Sequence, residues 1–269
     1  PDNSLPRENK GKAVVAFSGG LDASYTAWRH AQGLAGRRNR QLLAGVLIHG
    51  FDIPLSGTDA FDFTRTSVAE TLASINVPMA VVRTNWREVG CTAWEMEFGT
   101  GVATCLRNWQ GMVDTALLGA DEDYRRIVMP WGGNPLTYAM LSSHGFKVVY
   151  DGGEFGRSEK AADVGAWETG LRNLRVCWEG TVTGRNCGEC EKCLRTKMNF
   201  LAVGAPLPQS LSGQPSPSKI RRIKVRNSAQ LALLEEIRET ARARQISGPW
   251  LDALNWAIWK NRIVLALRS

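Results

Sequence analysis

The sequence predicts an α/β protein in which a parallel five-stranded sheet is followed by a C-terminal helical tail. The first observation behind this prediction is that short segments rich in Val, Ile and Leu alternate with helix-like segments. The second is that Gly, Pro, Asn or Asp bound these short segments, as is common for buried parallel strands. A chain of 269 residues, 43% of them hydrophobic, is long enough for one large domain with an appendage.

The elements follow one another as strand and helix along most of the chain. The predicted strands are Lys12–Phe17, Leu42–His49, Val77–Arg83, Arg126–Met129 and Phe146–Tyr150. The predicted helices are Asp22–Gln32, Thr64–Ile75, Trp109–Leu118, Leu136–Ser142, Glu159–Trp167 and Lys192–Val203. This alternation favours a parallel sheet that binds ligands at the carboxyl ends of its strands.

A segment rich in Pro, Gly and Ser separates the predicted domain from the tail. We therefore predict a domain over 1–205, a linker over 206–218 and a basic tail over 219–269. Apolar residues recur in the tail at helical spacing, which predicts two helices. They are Leu231, Leu234 and Ile237 in the first, and Trp250, Leu254 and Ile258 in the second.

The net charge of +7 comes entirely from the tail, where eleven Lys and Arg residues stand against four acids. Such an excess indicates either a solvated helical face or a contact with nucleic acid or a protein partner. No apolar run approaches the roughly 18 residues of a membrane helix. The first segment is polar and unlike a signal peptide. We therefore expect a cytoplasmic protein with no membrane contact.

The segment Ala16–Ser24 joins the first predicted strand to the first predicted helix. Its adjacent glycines, Gly19 and Gly20, let backbone N–H groups and a helix N-terminus surround an anion. Ser18 and Ser24 can donate to phosphate oxygens, and Asp22 can hold Mg²⁺. The segment matches neither the Walker loop nor the dinucleotide-binding glycine spacing. It indicates a phosphate site, with an ordinary Gly-Gly turn as the alternative.

Four of the six cysteines form a second cluster, with one Cys followed by two C-x2-C steps. They are Cys177, Cys187, Cys190 and Cys193. Four thiolates at this spacing are typical of a closed structural zinc knuckle. Free or redox thiols and an iron–sulfur cluster remain alternatives. The two other cysteines, Cys91 and Cys105, are interpreted as small core or surface residues.

In combination, the loop and the cysteine pattern resemble the QueC-type 7-cyano-7-deazaguanine synthases of the PP-loop ATP pyrophosphatase family. The resemblance covers roughly residues 12 to 203 and includes Leu106-Arg107-Asn108, Ser158-Glu159-Lys160 and Leu174–Trp178. It implies a sheet of the PP-loop (HUP-like) type and cleavage of ATP to AMP and pyrophosphate with Mg²⁺. It also implies a 7-carboxy-7-deazaguanine substrate, activated as an acyl-adenylate and captured by ammonia to give an amide or nitrile.

Residue roles follow from this resemblance and from position along the chain. The ATP-binding candidates are Phe17, Ser18, Gly19, Gly20, Leu21, Asp22, Ser24 and His49. The catalytic candidates are Asp22, Arg107, Arg157 and Lys160, of which the three cations would neutralise developing negative charge unless they form surface ion pairs. The substrate-binding candidates are Asp52, Asp151 and Glu154.

The chain also departs from the family pattern. Ala23 stands where Ser is usual, the first cysteine spacing is x9 where about x8 is expected, and Trp131–Asn134 replaces an acidic, hydroxyl-bearing segment. The basic tail has no counterpart in a minimal QueC. These differences favour a divergent ligase. QueC-like proteins also occur in anti-phage gene clusters, where the activated deazaguanine can be joined to a protein amine, and a free tail could grip such a partner.

Two further function classes stay open at this point. Sulfur transfer to tRNA uses the same loop but needs reactive cysteines, for which only Cys91 and Cys105 remain. A non-catalytic zinc module that binds nucleic acid through Lys219–Ser269 is the other class.

Overall fold

A computed structural model of the protein describes residues 9–177 and 184–267, and its centre is one five-stranded sheet. The strands are β1 (Lys12–Ala16), β2 (Gln41–His49), β3 (Met79–Arg83), β4 (Thr115–Gly119) and β5 (Lys147–Asp151). They are arranged in the order β3-β2-β1-β4-β5, and every neighbouring pair is parallel. The predicted α/β fold with a parallel five-stranded sheet is therefore confirmed.

Helices connect the strands and continue after the last one. Those among the strands are α1 (Leu21–Ala31), α2 (Thr58–Ala73), α3 (Trp86–Val89), α4 (Trp94–Leu106) and α5 (Pro135–Met140). Those after β5 are α6 (Arg157–Gly165), α7 (Glu168–Arg172), α8 (Glu191–Ala202), α9 (Pro217–Arg221), α10 (Ser228–Ala243) and α11 (Pro249–Ala266).

The core has two halves, one on each face of the sheet. Side chains of β1 alternate between them, since successive residues of a strand point to opposite faces. Val15 belongs to a buried cluster with Leu72 of α2, whereas Val14 belongs to a cluster with Leu106 of α4. Both faces are thus covered by helices, which explains why the central strands β1 and β4 are apolar over most of their length.

The order of the strands reverses direction between β1 and β4, and this position is where ligands bind in open parallel sheets. The loop after β1 and the loop after β4 face each other there. Gly119 ends β4 so close to α1 that an added Cβ would lie 2.6 Å from the carbonyl oxygen of Asp22. Only glycine allows the first turn of α1 to approach β4 this closely.

Two predicted elements in the middle of the chain are wrong. The fourth strand is Thr115–Gly119 and not Arg126–Met129, and the predicted helix Trp109–Leu118 does not form. A 3₁₀ turn ends at Trp109, and Gly111, with φ of 99°, turns the chain into β4. The segment Arg126–Met129 is held by side chains instead, with Val128 N donating to Glu122 Oε2 at 3.0 Å.

The sequence analysis predicted no element over the residues of α4. This helix contains Gly99 and Gly101, which weaken the helical signal. Both glycines are needed for packing. An added Cβ at Gly99 would collide with the carbonyl oxygen of Gly132, and one at Gly101 would lie 2.7 Å from the ring of Trp86.

The C-terminal helices pack on the domain through an apolar cluster, while α11 also exposes Trp256, Trp259 and Ile263. Leu234 and Ile237 of α10 and Leu254 and Ile258 of α11 are buried with Met198 of α8. The predicted linker is also engaged, since Ser210 Oγ donates to the carbonyl of Leu174 at 2.6 Å. The domain boundaries stay a prediction.

Part of the tail's positive charge is paired within the chain. Lys219 pairs with Glu189, and Arg262 pairs with Glu235. Three parts of the predicted regions lie outside the described residues. They are residues 1–8 of the domain, Trp178 of the segment Leu174–Trp178 and residues 268–269 of the tail. Within 9–177 and 184–267, the structure contains no helix with the length and apolar character needed to cross a membrane.

Candidate active site

The loop Ser18–Gly20 lies at the carboxyl end of β1, in the crevice where the strand order reverses. Gly19 has φ of 78°, a conformation that favours glycine, and Gly20 is the N-cap of α1 but has no side chain to occupy the helix N-terminus. The carbonyl of Gly19 accepts a 2.8 Å hydrogen bond from Arg175 N, which fixes the turn from outside. The first N–H groups of an eleven-residue helix are therefore presented to the crevice.

Asp22 in the first turn of α1 is bracketed by two buried cations from α6. Its Oδ2 lies 2.9 Å from Arg157 Nη1 and its Oδ1 lies 3.5 Å from Lys160 Nζ. Lys160 is 1% exposed and donates to the carbonyl of Ala120, the residue that follows β4. Burial lowers the pKa of Lys160, and the nearby Asp22 carboxylate acts in the opposite direction.

Three further cations lie just before Cys177 and in the first half of α8, and the sequence analysis did not single them out. Arg175 Nη1 lies 3.9 Å from Asp52 Oδ2. Burial lowers the pKa of Lys192, which interacts with the carboxylate of Asp52, and Arg195 Nε bonds Glu191 at 2.7 Å. The sequence contained a signal that could have pointed to these cations, because Arg175 comes just before the first clustered cysteine. Lys192 and Arg195 flank the last one.

Several of these cations retain buried donors without a hydrogen-bond partner. They are Arg157 Nε, Arg175 Nε and Arg195 Nη1. A buried charged donor left unsatisfied costs more free energy than one that water or protein can satisfy. Arg157 pairs with Asp22 in the first turn of α1 and Arg175 N bonds the carbonyl of Gly19, so these two cations lie beside a helix N-terminus, where an anion can bind.

Carboxylates line the β4 side of the crevice. Asp121 accepts hydrogen bonds from Trp131 Nε1 at 2.5 Å and from the Tyr150 hydroxyl at 3.2 Å, and burial raises its pKa. Glu122 is 5% exposed, and burial raises its pKa to about 7. This side of the crevice therefore contains a carboxyl group that can exchange a proton near neutral pH.

The raised pKa of Glu122 predicts a pH dependence of stability. Between the ordinary carboxyl range and pH 7 the folded protein binds more protons at this residue than the unfolded chain does. The free energy of unfolding should therefore fall as pH rises through this window and level off above it. Glu122→Gln removes the titration, so melting temperatures measured from pH 4.5 to 8 should fall less steeply in the variant. Parallel curves for both proteins would contradict the assignment.

The four clustered cysteines meet at one point between the segment that ends at Cys177 and the start of α8. All four sulfur atoms lie within 4.8 Å of one another. Cys177 Sγ is 3.5 Å from Cys187 Sγ and 3.7 Å from Cys190 Sγ, and Cys187 Sγ is 3.9 Å from Cys193 Sγ. A tetrahedral site with metal–sulfur bonds of about 2.3 Å has edges of about 3.8 Å. The arrangement can hold one metal ion.

Backbone groups orient these sulfurs. Cys190 N donates to Cys187 Sγ at 3.2 Å, and Asn186 Oδ1 accepts from Val176 N at 2.8 Å and from Cys177 N at 3.1 Å. Hydrogen bonds to ligand atoms and around them are the usual support of a metal site. The cluster also holds Arg175 and α8 in place, so it connects directly to the cations beside the loop.

Three other residues predicted to bind ATP, among them the predicted hydroxyl donor Ser24, have buried side chains. Phe17 is buried in the sheet core, Leu21 in the cluster under α6, and Ser24 is 1% exposed in α1. Gly20 N donates to Ser18 Oγ at 3.3 Å. The hydroxyl of Ser18 is thus beside the turn that presents the N–H groups.

His49, predicted to contact nucleotide, is instead a packing residue. It is 2% exposed, its ring stacks on Phe61 at 3.9 Å, and its Nε2 lies 3.0 Å from the carbonyl oxygen of Pro54. These contacts stabilise the turn after β2. Asp52 in the same turn is 40% exposed at its side chain and faces Arg175, so it stays close to the loop.

Asp151 and Glu154 are not brought to the loop. Asp151 Oδ1 lies 3.2 Å from His30 Nε2, and Arg29 Nη1 lies 3.0 Å from Glu154 Oε1. Arg29 and His30 belong to the last turn of α1, about two turns from Asp22. The two carboxylates therefore anchor the end of α1, which is a correction of their predicted role in substrate binding.

Arg107 is also corrected, because it lies near the amino end of β5, whereas the loop lies at the carboxyl end of β1. Its Nη2 donates to the carbonyl of Leu141 at 2.5 Å, and its guanidinium lies 5.7 Å from the ring centre of Phe146, just before β5. The residue stands after α4 and not before a helix.

The two arginines provide a matched comparison. Arg157→Gln should reduce the affinity for Mg²⁺-ATP by roughly 10-fold or more, since it removes a charged donor next to Asp22. Arg107→Gln should leave that affinity unchanged within about 2-fold. Isothermal titration of both variants measures the difference. Equal losses would contradict the placement of Arg107 outside the site.

Comparison with protein-family models, with curated proteins and with solved structures found no match to this chain. The functional proposal therefore depends on the geometry described above and on the resemblance in its motifs.

Proposed function

We propose that this protein uses ATP to activate a carboxylate and then joins it to nitrogen, in the manner of the QueC-type enzymes that its motifs resemble. The carboxylate oxygen attacks the α-phosphorus, pyrophosphate leaves and an acyl-adenylate forms. A nitrogen nucleophile then attacks the acyl carbon and AMP leaves. The substrate implied by the resemblance is 7-carboxy-7-deazaguanine, and ammonia or a protein amine is the nucleophile.

The observation that carries the proposal is the convergence of the loop with unsatisfied cations. The uncapped N-terminus of α1 adjoins Arg157 and Arg175, whose Nε atoms are buried without a hydrogen-bond partner. Pyrophosphate is a leaving group with several charged oxygens, and fixed donors that hold it lower the barrier to its departure. The strand reversal between β1 and β4 is also the usual position for such a ligand.

Each residue near the loop has a role in this proposal. The N–H groups of Gly19 and Gly20 and the Ser18 hydroxyl would hold the β and γ phosphates. Arg157 and Lys160 would neutralise the charge that develops at the α-phosphorus.

Asp22 could bind Mg²⁺ through Oδ1, which is buried and makes no hydrogen bond although it lies 3.5 Å from Lys160 Nζ. When bound, the ion would screen the repulsion between ATP and the incoming carboxylate.

The metal in the cysteine cluster is proposed to be structural zinc. Four thiolates leave no open coordination position for chemistry. The metal would instead fix the segment that carries Arg175 to the first turn of α8, which carries Lys192. Zinc would thereby support two of the cations proposed to act on the nucleotide.

The two remaining cysteines favour nitrogen capture over sulfur transfer. Cys105 lies on α4 and is buried, and burial raises its pKa to about 11. Burial and the neighbouring Glu97 carboxylate raise the pKa of Cys91. Neither thiol is disposed to form the thiolate that sulfur transfer requires.

The test is incubation with ATP, Mg²⁺ and 7-carboxy-7-deazaguanine, with and without ammonia, followed by mass spectrometry. AMP together with an amide or nitrile mass would support the full reaction. AMP with an adenylate that ammonia does not consume would support activation and direct the search to a protein amine. No AMP with this substrate or with other carboxylates would contradict the proposal.

A further inference from the structure

Helix α10 places a buried carboxylate on the N-terminus of α6. Glu236 is 4% exposed, and its Oε1 accepts a 3.1 Å hydrogen bond from Ser158 N. Its Oε2 accepts a 3.0 Å hydrogen bond from Ser158 Oγ. A carboxylate that accepts from the second N–H of a helix satisfies a donor that has no partner within the helix and interacts favourably with the helix dipole.

The sequence of α6 leaves room for this carboxylate from another element. Gly156, the N-cap residue, has no side chain with which to cap the helix. A Cβ added at Gly156 would lie 2.5 Å from Glu236 Oε1. Its φ of −69° is open to any residue, so backbone conformation does not require glycine here. The space for Glu236 is what a side chain at this position would remove.

The capped helix, α6, supplies the two cations that pair with Asp22. Arg157 is its first residue and Lys160 lies in the same first turn, and both pair with Asp22 in α1. A shift of α6 along its axis would therefore move both cations relative to the loop. Effects of this kind are large, since displacements of about 1 Å at a reacting group can cost on the order of 10²-fold in rate.

Other contacts join the C-terminal part of the chain to the elements around the crevice. Arg126, in the segment after β4, pairs with Glu239 of α10, and Arg226 Nη1 lies 3.4 Å from Glu95 Oε1 at the start of α4. A small cavity remains between α10 and the site, lined by Glu122, Arg157 and Glu236 among others. The C-terminal helices thus form a wall of the candidate site.

We propose that Glu236 is a positioning residue for Arg157 and Lys160, so that the C-terminal helical unit is an integral part of the active site. This inference rests on the proposed function for its kinetic consequence. Its structural consequence, the placement of Arg157 beside the phosphate-binding loop, can be measured through affinity for inorganic pyrophosphate.

The experiment compares Glu236→Ala, Glu236→Gln and Glu235→Ala in the full chain. We expect Glu236→Ala to weaken Mg²⁺-pyrophosphate binding roughly 10-fold. The free energy lost with a helix cap is of the size that corresponds to about a 10-fold change in an equilibrium constant. Its kcat for AMP formation should fall further, with little change in KM for the carboxylate. Glu236→Gln retains an acceptor oxygen and should recover most of both. Glu235→Ala removes the same charge from a residue that pairs within the tail, and should match wild type.

A double-mutant cycle keeps the inference testable if Glu236→Ala lowers stability. Gly156→Ala should reproduce the loss of pyrophosphate affinity, because the added methyl group displaces the Glu236 carboxylate. In the double variant with Glu236→Ala, the affinity should fall little further. Hydrogen exchange should show faster exchange of the α6 amides in both single variants.

Two results would overturn the inference. One is that Glu236→Ala and Glu235→Ala have the same pyrophosphate affinity and the same rates of amide hydrogen exchange in α6. The other is that the effects of Gly156→Ala and Glu236→Ala on affinity add fully in the double variant. If wild type binds pyrophosphate but forms no AMP, the proposed reaction fails, and the affinity comparison still decides the role of Glu236. Absence of pyrophosphate binding in wild type would contradict both.

Discussion

Replacing Lys160 with Met is expected to reduce AMP formation by on the order of 10²- to 10³-fold. The ammonium group is buried, lies 3.5 Å from Asp22 Oδ1 and bonds the carbonyl of Ala120, so it connects the two loops that face each other across the crevice. Met has a similar length and no charge. The substitution therefore removes positive charge beside Asp22 without creating a large cavity, and in the proposed reaction this charge acts on the α-phosphorus.

Steady-state AMP release and melting temperature should be measured together for this variant. Lys147→Met is the matched control, since Lys147 is exposed at the start of β5, where the chain enters the sheet. The control should keep wild-type activity. A Lys160→Met protein with wild-type turnover would contradict the assignment of Lys160 to the reacting centre.

Removal of metal from the cysteine cluster is expected to have the second largest effect. The four sulfurs lie within 4.8 Å of one another, and the metal would replace their mutual repulsion with bonds that close the segment onto α8. Loss of roughly 4 kcal/mol of stability corresponds to a fall in melting temperature of about 10 °C for a chain of this size. Binding of Mg²⁺-ATP should weaken at the same time, because Arg175 and Lys192 lose their support.

Elemental analysis should find one zinc per chain in wild type and none in Cys190→Ser. Cys91→Ser is the control and should keep the metal and the melting temperature. A Cys190→Ser protein with unchanged stability and nucleotide affinity would show that the cluster does not support the site.

The parts of the fold that could be predicted are those with strong local signals. Gly19 and Gly20 after a short apolar strand predicted the turn into α1, and the C-x2-C spacing predicted the cysteine cluster. The region from α4 to β4 could not be assigned in the same way. Gly99 and Gly101 reduce helix propensity but serve contacts with distant residues, and β4 is an apolar run that periodicity does not distinguish from a helix.

In the candidate site too, residues with a local sequence signal could be predicted, whereas residues placed by distant contacts could not. Asp22, Arg157 and Lys160 were predicted and lie together. Asp151 was assigned to substrate because it follows a strand, but its partner is His30, more than a hundred residues away. Glu236 could not be found from the sequence at all, because its role depends on where α10 packs.

The central claim is that this site forms an acyl-adenylate from ATP and a carboxylate, and pyrophosphate exchange tests it most directly. Labelled pyrophosphate, ATP, Mg²⁺ and 7-carboxy-7-deazaguanine are incubated with the protein in the absence of any amine. Our account predicts that label enters ATP only when the carboxylate is present, and that Lys160→Met loses this exchange. Carboxylate-independent release of ADP and phosphate, or wild-type protein that exchanges no label with any carboxylate, would contradict it.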